Sequence, residues 1–164
     1  MIRKTARAAA AAAIATGVVL GVSATPAFAA CGNKCDGENP QTYSYLDVSV
    51  GGPGAVVKCS TDARTPANSG SKVYKKYATN LPESAIYVEL RYSPQCRTAW
   101  ARTNADGWGI TVYSYNANGS FRTSAWEVTN SSVKYTAMVN DAGLKAKACI
   151  SIPVSDSEVC TSLY

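Results

Sequence analysis

The sequence predicts an all-β fold: a small antiparallel β-meander that forms a sandwich or barrel and is stapled by disulfides. Three observations lead to this fold class. Short runs of β-branched and aromatic residues alternate with turn residues at intervals of roughly ten in the carboxyl-terminal half. No part of that half has a convincing helical period. All six cysteines lie after an amino-terminal leader, as expected of a small exported domain.

The leader, residues 1–29, has the three parts of a signal peptide. Three basic residues occur within the first seven positions, an apolar run follows, and Ala-Phe-Ala at 27–29 has the small-x-small pattern of a cleavage site. The run is too short and too rich in alanine for a membrane-spanning helix, which needs about 20 strongly apolar residues. We therefore predict a secreted, extracellular protein in which residues 30–164 form one disulfide-stapled β-domain.

An even number of cysteines in a small exported domain predicts three disulfides, although sequence alone leaves most connectivities open. Cys149 with Cys160 is the best single pair. The first two cysteines are expected to tie their segment to the third and fourth. A rival interpretation anchors the protein through a lipid on Cys31 and leaves one thiol unpaired. The cysteines are Cys31, Cys35, Cys59, Cys96, Cys149 and Cys160.

Charge and composition exclude several classes of function. Three of the 16 Lys and Arg residues and none of the 11 Asp and Glu residues belong to the leader, so the remainder has a net charge of about +2. That is too weak for a nucleic-acid or anionic-membrane partner. The absence of histidine excludes the Ser-His-Asp and Cys-His mechanisms and leaves only an all-thiolate metal site. We expect a monomer with no cofactor, no metal and no membrane insertion.

The strands are predicted from the runs between turn signals. The amino-terminal half has two possible strands, "YSYLDVSV" and "AVVKC", and a polar surface connection, "TDARTPANSGSK". In the second half the turns are "SPQC", "NADG", "NANG", "TNSS" and "DAG". "SPQCRTAW" has the alternative of starting a short helix, with Ser93 as N-cap. The strands predicted after residue 84 are 85–92, 97–103, 108–115, 120–128, 133–140 and 145–152.

Hairpin pairing determines which side chains share a face of the sheet. A four-residue turn at 93–96 places Leu90 opposite Ala99 on an apolar face directed to the core. We expect Cys96 to be bridged and to hold this turn, with Trp100 exposed on the other face. That other face collects Tyr87, Glu89, Arg91, Thr98, Trp100 and Arg102.

The hairpin around Asn118-Gly119 is treated in the same way. Ile110, Val112 and Ala125 fall on one face, and the two plausible loop lengths give the same result. The opposite face collects Thr111, Tyr113, Tyr115, Arg122, Ser124 and Trp126.

Both of these opposite faces combine tyrosine, tryptophan and arginine, which predicts a ligand-binding platform for sugar rings or peptides. The alternative is structural: arginine stacked on tryptophan shields the second face of a sheet, or one of the faces is itself core. The predicted ligand-binding residues are Tyr87, Arg91, Trp100, Arg102, Tyr113, Tyr115, Arg122 and Trp126.

Carboxylate chemistry is the remaining route to catalysis, and glycoside hydrolysis needs two facing carboxyl groups. Most of the acidic residues sit in turns, where a carboxylate caps its own backbone. Glu89 is placed beside Arg91 and diagonal to Arg102, which suits an ion pair. We therefore expect no enzymatic activity. The carboxylates considered are Asp36, Glu38, Asp62, Glu89, Asp106, Glu127 and Asp141.

Four blocks of the sequence resemble those of the YjfA-like family of exported bacterial proteins, a domain of unknown function frequent in actinobacteria. The blocks are "CGNKCDGENP", "CSTDART", "VELRYSPQCRTAWAR" and "YTAMVNDAG" with "AKAC". The resemblance implies a small secreted or surface domain with disulfides and supplies no catalytic residues. The chain departs from the family pattern in the longer stretch between Cys35 and Cys59.

Together these observations favour a secreted or cell-surface domain that binds envelope glycan or protein, or acts structurally, without catalysis. One alternative is an inhibitor of proteases or other hydrolases that offers Arg64, followed by Thr65-Pro66, in a polar loop. A second alternative is a carboxylate-based glycan hydrolase.

Overall fold

A computed structural model describes residues 31–47, 55–78, 85–153 and 157–164. The predicted signal peptide lies outside these residues. Apart from one 3-10 helix, Gly32–Cys35, the regular structure is β, and no described helix is long and apolar enough to cross a membrane. The strands are β1 Ser44–Asp47, β2 Ala55–Lys58, β3 Lys75–Tyr77, β4 Tyr87–Ser93, β5 Thr98–Thr103, β6 Gly109–Tyr115, β7 Phe121–Val128, β8 Val139–Asn140, β9 Lys145–Ile152 and β10 Ser157–Cys160.

The predicted all-β, antiparallel fold is confirmed, and it takes the form of a sandwich. The first sheet has the strand order β3-β4-β5-β8, and the second has the order β10-β9-β6-β7. β1 and β2 form a separate two-stranded sheet. The order departs from a simple meander because the chain crosses to the second sheet after β5, and β9 pairs with β6.

The main core lies between the two four-stranded sheets. Side chains alternate between the two faces of a strand, so every second residue of β4, β5, β6 and β9 points inward. In the first sheet β4 contributes larger aliphatic residues to the core and β5 contributes alanines. In the second sheet β6 contributes larger aliphatic residues and β9 contributes mostly alanines, and these small residues let the sheets approach closely. The fully buried members include Val88, Leu90, Ala99, Ala101, Ile110, Val112, Val139, Ala146, Ala148 and Ile150.

The predicted strands agree with the observed ones within two residues for β4 to β7, and β9 has the predicted bounds. The prediction for 133–140 is mostly wrong, because only Val139–Asn140 forms a strand. Tyr135 makes an isolated bridge to Arg102 of β5. β3 and β10 were not predicted, since three and four residues are too few for a period to show.

The turn between β4 and β5 lies one residue later than predicted. Ser93 pairs with Thr98, and the loop is 94–97. Arg97 closes it in a left-handed conformation, with φ of 53°, and its N–H donates to the carbonyl of Ser93 at 2.8 Å. Leu90 is consequently opposite Ala101. Each residue of β4 thus pairs with a residue of β5 two positions further along than predicted. Because two is an even number, every side chain of this hairpin keeps its predicted face.

All six cysteines are paired, and the predicted bridge between Cys149 and Cys160 is confirmed. The prediction for the other four is wrong. Cys31 pairs with Cys35, because the 3-10 helix brings their Cα atoms within 5.6 Å, and the remaining pair is Cys59 with Cys96. Cys96 is therefore bridged, as expected, and it is fully buried.

A second, smaller core lies on the outer face of the first sheet. Trp100 projects from β5 into it and is only 1% exposed. It is packed with Cys35, Cys59, Cys96 and Met138, and tyrosines from the amino-terminal segments close the sides. The expectation that Trp100 is exposed is thus wrong: the face was assigned correctly, but the amino-terminal segments cover it.

The burial of Trp100 predicts a large loss of stability when its side chain is removed. Trp100→Ala should lower the free energy of unfolding by about 3–5 kcal/mol, because it leaves a cavity between β5 and the two buried disulfides. Urea unfolding followed by circular dichroism measures this. Trp126→Ala is the matched control, since Trp126 is 64% exposed and its loss should cost about 0.5 kcal/mol or less. Equal losses for the two variants would contradict the second core.

Candidate ligand-binding face

The outer faces of the two large sheets differ in whether chain covers them. The first sheet is covered on its outside, around Trp100, by residues from 31–47 and 55–63. The second sheet carries exposed aromatic side chains on its outside, among them Trp126 at 64% and Phe121 at 59%. Of the two platforms that the sequence predicted, the one on the second sheet is therefore the more exposed, because on the first platform Trp100 is buried while the Arg102 side chain stays 43% exposed.

The polar residues of the first platform hold a neighbouring segment. Glu89, 4% exposed, forms the predicted ion pair with the Arg102 Nε, and it accepts a hydrogen bond from Thr65 Oγ1 at 2.7 Å. Arg91 donates to the carbonyl of Ala63 at 2.5 Å and to Thr65 Oγ1 at 3.4 Å. These contacts fasten residues 63–65 to β4.

The electrostatics of this network follow from its burial. Partial burial lowers the pKa of Arg91 from its ordinary value, and the positive charge of Arg102 lowers it further, while Glu89 acts in the opposite direction. Tyr87 lies at the edge of the network, with the Lys75 ammonium 3.9 Å from its ring centroid. The structure thus gives Arg91, Arg102 and Tyr87 internal partners.

The open platform, called the aromatic face below, consists of Tyr113 and Tyr115 of β6 with Phe121 and Trp126 of β7. The predicted strand pairing is confirmed from Ile110 to Ser114, with Tyr113 opposite Ser124. On the other face Ile110 and Val112 are fully buried, and Ala125 is partly buried against the core. Tyr115 meets Phe121 edge-on, with ring centroids 6.2 Å apart.

A glycine determines where the indole of Trp126 lies. A methyl group at Gly109 would be 3.3 Å from Trp126 Nε1 and 3.5 Å from Ser151 Oγ. The indole therefore extends from β7 across β6 towards β9, over the only outward position of β6 that has no side chain. Trp126 is partly supported from below while most of its surface stays exposed.

Charged groups from β9 and β10 complete the aromatic face. The Lys147 ammonium lies 5.2 Å from the ring centroid of Tyr113 and 5.8 Å from that of Tyr115. The Tyr113 hydroxyl donates to Glu158, with oxygen separations of 3.1 and 3.3 Å. Burial raises the pKa of Tyr113, and the hydrogen bond and charge of Glu158 raise it further. Tyr113 therefore acts as a neutral hydrogen-bond donor at physiological pH.

Arg122 does not take the place predicted for it. The register shifts between Ser114 and Tyr115, so Phe121 pairs with Tyr115 and Arg122 becomes the extra residue of a β-bulge. Its guanidinium forms an ion pair with Asp36 and donates to Asn33 Oδ1 at 3.0 Å. Arg122 thus ties β7 to the amino-terminal segment. Phe121 occupies the position opposite Tyr115 that was predicted for Arg122.

Sequence reasoning missed several residues of this face. Phe121 was missed because a bulge changes the parity of a strand and leaves no simple sequence signal. Lys145 and Lys147 had a signal in the period of β9, whose odd-numbered residues face outward, but the pairing of β9 with β6 was unknown. Gly109 has no side chain to mark a face, and Glu158 lies on β10, which the sequence did not predict. The missed residues are Gly109, Phe121, Lys145, Lys147 and Glu158.

One buried carboxylate has no hydrogen-bonding partner on one oxygen. Asp141 is 7% exposed, and its Oδ1 lacks a partner among the described residues. Burial raises its pKa to about 7, and the charge of Arg97 acts in the opposite direction.

A protein-family profile matches most of the described chain. The profile described as "Protein of unknown function (DUF2690)" matches residues 33–149, which is more than half of the chain. The chain belongs to the DUF2690 family. The match includes all four residues of the aromatic face and three of the four cysteines beneath the second core. Neither the curated proteins nor the solved structures contain a match to the chain.

Asp141 makes the stability of the fold depend on pH. Its pKa in the folded protein, about 7, lies above the value of roughly 3.9 in an unfolded chain. The stabilisation from the protonated carboxyl is therefore complete below pH ~4 and is lost as the pH rises through 7. Asp141→Asn should raise the free energy of unfolding at pH 8 by on the order of 3 kcal/mol, and by less at pH 5.

Urea unfolding of both proteins at pH 5 and pH 8 measures this difference. Asp106→Asn is the control, because the Asp106 side chain is 58% exposed and pairs only with Lys134 in the described residues. An equal effect of Asp141→Asn at the two pH values would show that its carboxyl titrates normally in the fold.

Proposed function

We propose that this protein is an exported, non-catalytic domain that binds cell-envelope glycan on the aromatic face. The observation that carries the proposal is the exposure of Trp126 and Phe121 on one side of a sheet whose other side is core. Exposed aromatic rings on a rigid sheet are preorganised for ligand stacking, so little conformational entropy is lost on binding.

The pattern of the aromatic face favours a glycan over a protein. A polar side chain separates the rings: the exposed Ser124 lies between Phe121 and Trp126 on β7 and is opposite Tyr113. A contiguous exposed apolar patch is one mark of a protein-binding surface, and the rings here are not contiguous. Sugar rings instead present apolar C–H faces and hydroxyl edges, which match alternating aromatic and polar groups.

Export is supported by the signal peptide that the sequence predicts, by the three disulfides and by the resemblance of the sequence blocks to the YjfA-like family of exported proteins. The pairing of Cys31 with Cys35 favours a secreted form over the lipid-anchored alternative. A lipid thioether on Cys31 would consume its sulfur and leave the buried Cys35 as a free thiol, which an oxidising compartment disfavours.

The backbone around Arg64 weighs against the inhibitor alternative. Arg64 is exposed, but its N–H donates to the carbonyl of Tyr92 and its carbonyl accepts from the N–H of Tyr92, both at 2.9 Å. A substrate-like inhibitor has to offer the carbonyl of this residue to the oxyanion hole of the protease. Here that carbonyl already serves as a β-bridge to β4.

The proposal predicts that binding and stability separate at the aromatic face. Trp126→Ala and Phe121→Ala should each weaken retention on insoluble envelope glycan by roughly tenfold or more, as expected when a central aromatic contact is lost. Their free energies of unfolding should change by about 0.5 kcal/mol or less, because both side chains are mostly exposed. A sedimentation assay with purified cell-wall glycan measures the first effect, and urea unfolding measures the second.

Tyr77→Ala is the matched control, since Tyr77 is 52% exposed but lies on β3 of the other sheet. Gly109→Ala tests the position of the indole, because the added methyl group would displace Trp126 without removing it. Glycan retention that is unchanged by Trp126→Ala and Phe121→Ala, or equally reduced by Tyr77→Ala, would contradict the proposal.

A further inference from the structure

We infer that the glycan held on the aromatic face carries carboxylate groups and that Lys145 and Lys147 recognise them. The inference rests on the proposed function and adds the chemical class of the ligand. It is based on two lysines of β9 that form no ion pair with any described acid. The Lys147 ammonium lies over the rings of Tyr113 and Tyr115, and Lys145 is the next outward residue of the strand, directly opposite Tyr115.

The position of the two lysines follows from the pairing of β9 with β6. Lys147 is directly opposite Tyr113, and Lys145 is directly opposite Tyr115. Because Phe121 is opposite Tyr115 on the other side, the two amines flank one end of the aromatic face. A ring stacked on Tyr115 or Phe121 is therefore within reach of both positive charges.

The two lysines differ in this respect from the arginines of the sheets. The arginines on the two sheets are engaged: Arg102 pairs with Glu89, Arg122 pairs with Asp36, and Arg91 donates to the 63–65 segment. Their charges stabilise the fold. Lys145 is exposed, and Lys147 contacts only tyrosine rings among the described residues, which leaves both charges available to a ligand.

The single acid of the aromatic face lies towards its other end. Glu158 is opposite Ser151, two outward positions along β9 from Lys147, and its carboxylate accepts the hydroxyl of Tyr113. Successive outward residues of a strand are about 6.6–6.8 Å apart, so the Trp126 and Lys145 rows are separated by on the order of 13 Å. This length suits a short oligosaccharide with a neutral ring on Trp126 and an acidic group near the lysines.

The density of charge favours carboxylates over a polyphosphate chain. The aromatic face holds two lysines and one glutamate, a small excess of positive charge, whereas proteins that bind phosphate chains cluster many Lys and Arg residues. Lysine is a point charge that needs no bidentate partner, so one ammonium matches one sugar carboxylate. Sparse single charges along an otherwise neutral glycan are the best complement to this face.

Two polymers with the same backbone test the inference: a polyglucuronate, and the neutral glucan made by reducing its carboxyl groups. The wild-type protein should be retained on immobilised polyglucuronate roughly tenfold more strongly than on the neutral glucan, as two exposed charge contacts would provide. Lys145→Gln/Lys147→Gln should abolish this ratio while leaving retention on the neutral glucan unchanged. Raising the ionic strength should have the same effect on the wild type.

Lys76→Gln is the matched control, since Lys76 is exposed on β3 of the first sheet. It should keep the wild-type ratio. Equal wild-type retention on the two polymers, or an equal loss in Lys76→Gln, would overturn the inference and leave the proposed function in place. Retention on neither polymer, with none on cell-wall glycan, would overturn the proposed function itself. Thermal unfolding of each variant confirms that it is folded.

Discussion

The Cys59–Cys96 disulfide, with the indole of Trp100 packed against it, holds the amino-terminal segments on the outer face of the first sheet. The bridge joins residues 37 positions apart. In the chain-entropy account, closing a loop of this length raises the free energy of the unfolded state by about 4 kcal/mol. The ring supplies the apolar area that those segments cover. Two packed sheets form one core between them. The Cys59–Cys96 disulfide and Trp100, together called the clamp below, create the second core outside the first sheet.

The clamp determines what the polar residues nearby do. Once residues 59–65 are held over β4, the carboxylate of Glu89 is buried, and a buried charge is tolerated only with charged and hydrogen-bonding partners. Arg102 and Thr65 provide them. The planar guanidinium donates several hydrogen bonds in fixed directions, which explains why arginines tie the covering segments down.

Because the amino-terminal segments cover the first sheet around Trp100, the second sheet offers the more exposed aromatic surface. The aromatic face stands on paired strands, and the inner residues of β6 are fully buried, so its rings are held by a sheet rather than by a loop. The bulge in β7 contributes to this arrangement in two ways. It turns Arg122 towards Asp36, where it joins the two sheets through the amino-terminal segment, and it brings Phe121 next to Tyr115.

The sequence by itself determined the fold class, most strand positions and the division of each hairpin into two faces. These features depend on the two-residue period of a strand, and they survived a misplaced turn because Leu90 kept its face when its partner changed from Ala99 to Ala101. The tertiary structure alone decided which polar face is covered, how four of the cysteines pair, and that Phe121 replaces Arg122. Burial of Trp100 results from contacts with residues far away in sequence, and no local period encodes such contacts. The bulge likewise arises where β7 meets its neighbours, so the surface that remains for a ligand is a property of the assembled sandwich.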